Sequence, residues 1–166
     1  MSTTDNLKDA FAGESQANRK YLAFAQKAKD EGRPQIAALF RAAAEAETVH
    51  AHAHLRVMNG VKSTADNIRT AIEGEGFEFQ EMYPKYIQEA EKEGNKDAVK
   101  SFKYALAVEK IHHKLYSEAL ETLEAGNDLP ANSIFVCPVC GNTVIGNAPD
   151  TCPICGTPGN KFKEIN

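Results

Sequence analysis

Two glutamate–histidine pairs, Glu47 with His50 and Glu109 with His112, have the types and spacing to bind metal. Residues three apart lie about 60° apart around a helix, so both side chains of a pair can reach one point beside it. Around Glu109 the helical run places Phe102, Ala105 and Leu106 before it and Tyr116 and Leu120 after it, all on one stripe. Around Glu47 the stripe reads Ile36, Phe40, Ala43, Ala44, Glu47, His50, His54 and Val57. A lone carboxylate in an apolar stripe is costly. Two Glu-x-x-His pairs on core-facing stripes are what a carboxylate-bridged dinuclear metal site requires from two helices of a bundle.

Three further glutamates join the set. Glu14 is the ionisable residue in the stripe Leu7, Ala10, Phe11, Glu14, Ala17, Tyr21, Phe24, and Glu78 and Glu81 lie in Glu-Phe-Gln-Glu. An ionised buried carboxylate costs several kcal/mol even after relaxation. Five would outweigh a folding stability of roughly 5–15 kcal/mol. Two cations remove that cost, and carboxylates with two imidazoles suit iron or manganese. Tyr21, seven after Glu14, returns to the same face, where it can donate a hydrogen bond to a ligand or an oxidant, or simply pack. His52 reads as surface, and His54 and His113 as ordinary bundle histidines.

All four cysteines fall in two matching turns, Cys137-Pro-Val-Cys140-Gly and Cys152-Pro-Ile-Cys155-Gly. Each turn aims two thiolates at one metal, and the following glycine permits positive φ, so backbone N–H groups can point at the sulfurs. The pattern predicts tetrahedral four-sulfur ligation and leaves zinc and iron open. Zinc would make a structural ribbon, iron a one-electron carrier.

These residues need helices and a small metal-held module to position them. Hydrophobic periodicity and breakers predict helices over about 4–31 (N-cap Thr3, Thr4 or Asp5), 35–59, 77–93 and 96–125. A connection over 60–76 is expected to hold a short helix, 65–73, broken by Gly74 and Gly76. A connection of that length gives the single long crossover of a ferritin-like four-helix bundle. Pro84 predicts a kink just after Glu81. The expected organisation is a bundle over 1–126, a linker over 127–133 and a four-cysteine domain over 134–166, too small to fold on an apolar core alone.

Net charge of −4 gives no reason to expect nucleic acid or an anionic membrane as partner. No apolar run approaches the roughly 18 residues that span a bilayer. The N-terminal Met-Ser-Thr-Thr-Asp-Asn has neither the basic nor the apolar region of an export signal. With cysteines spaced for metal rather than disulfides, a cytoplasmic protein is expected.

The chain resembles the rubrerythrin family over nearly its whole length. The matching stretches are Ala12-Gly13-Glu14-Ser15-Gln16, Ala46-Glu47-Thr48-Val49-His50, Glu78-Phe79-Gln80-Glu81-Met82-Tyr83-Pro84, Glu109-Lys110-Ile111-His112 and the four-cysteine tail. The resemblance implies a mainly α, ferritin-like di-iron bundle followed by a rubredoxin-like domain with one Fe(Cys)₄ centre. It implies reduction of hydrogen peroxide to water, with electrons from a rubredoxin or an NAD(P)H-dependent reductase passing through the four-cysteine iron. It implies that one iron shifts between His50 and Glu81 as its oxidation state changes. It also implies a homodimer in which one chain's four-cysteine centre lies near its partner's di-iron site.

Two other classes are compatible with parts of the pattern. A ferritin-type ferroxidase would use oxidant slowly and accumulate ferric mineral, a role for which the tail has no use. A non-catalytic interaction module would carry zinc in the tail and be colourless.

Overall fold

The computed structural model describes residues 2–165, which form two compact units that divide between Lys62 and Ser63. The first is a helical hairpin of α1 (Thr3–Asp30) and α2 (Pro34–Val57). Helix α1 opens one residue earlier than the sequence suggests, on Ser2. The Ser2 hydroxyl accepts from the Asp5 N–H while the Asp5 carboxylate accepts from the Ser2 N–H. This reciprocal pair satisfies two donors that a helix start leaves orphaned. The turn before α2 carries Gly32 at φ +70, and Pro34 begins α2, where its missing N–H costs nothing. Buried alanines, Ala25 and Ala28 on α1 and Ala37, Ala44 and Ala51 on α2, let the two backbones pack closely.

In the second unit, α3 (Thr64–Phe77), a π-helical segment (Glu78–Met82) and α4 (Tyr83–Lys92) follow one another without interruption, and α5 (Lys96–Glu124) packs against all three. The expected break at Gly74 and Gly76 is absent: helical structure resumes at Thr64 and runs through both glycines. Gly76 serves a close approach instead. A Cβ there would lie 3.3 Å from the His113 ring of α5, so only glycine admits the neighbouring helix without displacement. The Pro84 kink is likewise replaced by a widened turn. The π segment ends beside Pro84, which sits in the first turn of α4, where the lost donor is tolerated.

Residues 127–133 contain no helix or strand. Beyond them, β1 (Ile134–Val136), β2 (Thr143–Ile145) and β3 (Lys163–Ile165) form a three-stranded antiparallel sheet in the order β2-β1-β3. Cys137 and Cys152 are its most buried large side chains, so the metal site takes the place of an apolar core. Strand β2 rests on α5. Among the described residues no helix is long and apolar enough to cross a membrane.

Candidate metal centres

In the hairpin, α1 supplies Glu14 and α2 supplies Glu47 and His50. His50 Nδ1 lies 3.0 Å from Glu47 Oε2 and 3.8 Å from Glu14 Oε1. Asn18, buried one turn beyond Glu14, locks the two helices in register there. Its amide donates to the Ala44 carbonyl at 2.7 Å and to the Thr48 hydroxyl at 2.8 Å. A hydrogen bond to Glu47 raises the Glu14 pKa, with burial and charge repulsion adding to it. Hydrogen bonds from Glu14 and His50 lower that of Glu47. One proton is thus shared between two carboxylates that a cation can replace.

The second unit repeats this geometry with Glu75 of α3 and Glu109 and His112 of α5. His112 Nδ1 lies 2.8 Å from Glu109 Oε2 and 3.8 Å from Glu75 Oε1. Burial raises the Glu75 pKa to about 7, helped by its hydrogen bond to Glu109 and that group's charge. Burial also raises Glu109, which the Glu75 hydrogen bond lowers and the Glu78 charge raises further. Glu78 itself, half-buried on the π segment, is raised by burial and by Glu75. The wide π turn brings this third carboxylate towards the pair.

Glu81 is not drawn into this group. Its side chain is 60% exposed and meets Lys85 Nζ at 3.4 Å. Tyr21 packs its ring with Phe24 and Phe40, at centroid separations of 6.3 and 6.2 Å. His52 is exposed, His54 is half-buried and near enough to Glu14 for its charge to act there, and His113 packs edge-on to Phe79. Two residues were missed in the sequence. Glu75 falls where Gly74 and Gly76 mark a broken connection in the sequence, although it stands three before Glu78 and so shares its helix face. Tyr83, whose pKa burial raises and the charges of Glu78, Glu109 and Glu75 raise further, is the tyrosine beside this cluster.

The four cysteine sulfurs lie within 4.8 Å of one another, with Cys137–Cys155 and Cys140–Cys152 each at 3.6 Å. A tetrahedron with metal–sulfur bonds of about 2.3 Å has edges of about 3.8 Å, so the cage is close to the size a metal needs. Burial alone would raise the Cys137 and Cys152 pKa values. The N–H groups of Val139 and Cys140, and of Ile154 and Cys155, outweigh it and hold both thiols below their ordinary range. Gly141 and Gly156 adopt φ +85 and +78, which lets the backbone amides that follow them, of Asn142 and Thr157, reach the sulfurs of Cys140 and Cys155. The buried Asn142 amide adds a donor 3.8 Å from Cys152 Sγ.

Each carboxylate cluster thus offers two oxygens and one imidazole nitrogen, a donor set for a divalent first-row metal. The cage offers four sulfurs, which suits iron or zinc.

The chain matches the family model described as Rubrerythrin over residues 5–120 and the model described as Rubrerythrin, rubredoxin-like domain over residues 135–163. Rubrerythrin-2 of Clostridium acetobutylicum is 35% identical over 157 residues, covering 86% of this chain and 85% of that protein. Nigerythrin of Nitratidesulfovibrio vulgaris is 34% identical over 154 residues, covering 84% of this chain and 75% of its own. Among solved structures, nigerythrin in its fully reduced, all-ferrous state superposes with a TM-score of 0.59 at 34% identity, over 99% of this chain and 87% of that one.

Proposed function

The chain belongs to the rubrerythrin family, and from that premise we propose that it is a non-haem di-iron peroxidase that reduces hydrogen peroxide to water. Its fold is ferritin-like with a C-terminal rubredoxin-like domain, and its cofactors are a di-iron site and an Fe(Cys)₄ centre. The family is one of oxidoreductases. The observation that carries the peroxidase reading is the pairing of two Glu–Glu–His clusters with a four-sulfur cage in one chain.

The residues proposed as iron ligands are Glu14, Glu47 and His50 within the hairpin and, within the second unit, Glu75, Glu78, Glu109 and His112. Cys137, Cys140, Cys152 and Cys155 hold the third iron. When bound, the di-iron pair supplies two electrons and two protons enter from the site to turn one hydrogen peroxide into two waters, while the Fe(Cys)₄ centre restores the electrons singly. The chain's own residues handle the protons. Glu75 and Glu109 share one at their carboxylates, and with a pKa raised to about 7 Glu75 can both hold and release it near neutrality. The Tyr83 hydroxyl, kept protonated by burial and by three neighbouring carboxylates, is a donor available beside them.

We leave Glu81, paired with Lys85, outside the proposed ligand set, and with it the iron shift between His50 and Glu81 that the resemblance implies. Tyr21 belongs to aromatic packing. We assign the bundle to 1–126, the linker to 127–133 and the rubredoxin-like domain to 134–166. A rubredoxin or an NAD(P)H-dependent reductase is the class of donor, and oxidative-stress defence in the cytoplasm is the role. The protein acts as a homodimer, a reading supported by large apolar side chains that the hairpin leaves uncovered, Leu39 at 69% exposure among them.

The test is peroxide turnover by the iron-loaded chain with a reductase and rubredoxin supplying electrons. Glu109→Ala abolishes turnover and leaves the Fe(Cys)₄ visible spectrum intact; full turnover by that variant would overturn the reading.

A further inference from the structure

Thr143 begins β2, three residues after Cys140, and its side chain reaches back to α5. Its hydroxyl oxygen lies 3.1 Å from the Gly141 carbonyl oxygen and 2.8 Å from His112 Nε2. A hydroxyl has one proton to give, and a carbonyl oxygen can only accept. With its proton on Gly141, the hydroxyl can accept from His112. Nδ1, 2.8 Å from Glu109 Oε2 and 3.8 Å from Glu75 Oε1, is the ring nitrogen that faces the carboxylates, so a metal held by them would take Nδ1 and leave the imidazole proton on Nε2, aimed at Thr143.

We propose that Thr143 is a positioning residue: it holds His112 as the Nε2–H tautomer with Nδ1 free to ligate. The seating of the four-cysteine module on α5 thereby orients one ligand of the carboxylate site in the same chain. The inference rests on the assignment of His112 as a ligand.

The relay is built into the first cysteine turn. The Gly141 N–H donates to the Cys137 carbonyl at 3.0 Å, and its φ of +85 aims its own carbonyl at Thr143. A Cβ on Gly141 would touch Val108 of α5 at 3.7 Å, so the turn lies directly on the helix that carries His112. The His112 side chain is 26% exposed against 54% for His50, so the two histidines are not held alike. Metal in the cysteine cage fixes the turn, the turn fixes Gly141 and Thr143, and Thr143 fixes the ring.

The test uses the full chain, labelled with ¹⁵N at histidine, with zinc in both the cysteine cage and the carboxylate site. Two-bond ¹H–¹⁵N correlation reads the tautomer, and His112 is expected as Nε2–H; an Nδ1–H ring would overturn the proposal. Ferrous-ion titration of the carboxylate site then compares Thr143→Val and Thr143→Ser. Loss of an outer partner of a ligating histidine weakens binding about 10–100-fold, so the valine variant is expected to fall in that range and the serine variant to stay near the parent. Parent-like affinity in Thr143→Val would also overturn it. The cage's own spectrum confirms that each variant has folded. Neither readout involves peroxide, so failure here is separable from failure of the peroxidase reading.

Discussion

His112 Nδ1 stands 2.8 Å from Glu109 Oε2, one helical turn before it, and His50 Nδ1 stands 3.0 Å from Glu47 Oε2 in the same relation. Each histidine also has a second carboxylate at 3.8 Å, from Glu75 and Glu14 respectively. Two helix pairs have thus arrived at one arrangement of donors. The correspondence makes Glu75 the counterpart of Glu14, a role that Glu81 does not take.

Glu75→Ala is therefore expected to lower iron bound at the carboxylate site by at least about tenfold in affinity, the scale on which lost ligands and their partners act. Glu81→Ala, which removes only an exposed pair with Lys85, should leave it within about twofold. Iron titration of the two variants checks this, and the reverse order would return Glu81 to the site.

The metal-free protein should lose stability as pH rises. Glu75 has a folded-state pKa of about 7 against an ordinary 4.5, so the folded chain holds its proton more tightly than the unfolded chain does. The associated stability is complete below pH 4.5 and is lost as pH climbs through about 7. Thermal unfolding across that window should show a falling Tm that Glu75→Gln flattens. Iron loading displaces the shared proton, so metal uptake should release protons and strengthen with pH over the same window.

Asn142 gives a separate handle on the second centre. Its side-chain amide is buried at 2% exposure and reaches Cys152 Sγ at 3.8 Å. Donors to the sulfurs favour the more negative, reduced state. Asn142→Ala should lower the reduction potential of the Fe(Cys)₄ centre by tens of millivolts without altering the number of irons bound, as redox titration followed by visible absorption would show.

Much of this site is legible in the sequence because its residues obey local rules. Glu47 and His50, Glu109 and His112, and the two cysteine turns each lie within four residues, so helix geometry or turn chemistry alone brings them together. Glu14 stands out as a charge in an apolar stripe. Glu75 was hidden because Gly74 and Gly76 read as helix breakers, whereas Gly76 answers to the His113 ring of another helix, 37 residues away in sequence. The π segment and the Thr143–His112 contact are tertiary in the same sense. Pro84 announces a disturbance without saying that a widened turn will absorb it, and no periodicity links β2 to α5. The Thr143–His112 contact joins the four-cysteine module to the carboxylate cluster of its own chain, a relation that no local pattern announces.

The most direct test of the account is to reduce the fully loaded protein anaerobically, add about one equivalent of hydrogen peroxide and follow the visible band of the Fe(Cys)₄ centre through a stopped-flow mixing. The account predicts rapid return of the red ferric band, as electrons leave the cysteine cage to replace those taken by peroxide. A carboxylate site that oxidises while the cage stays reduced and colourless would contradict it and leave the cage a structural element.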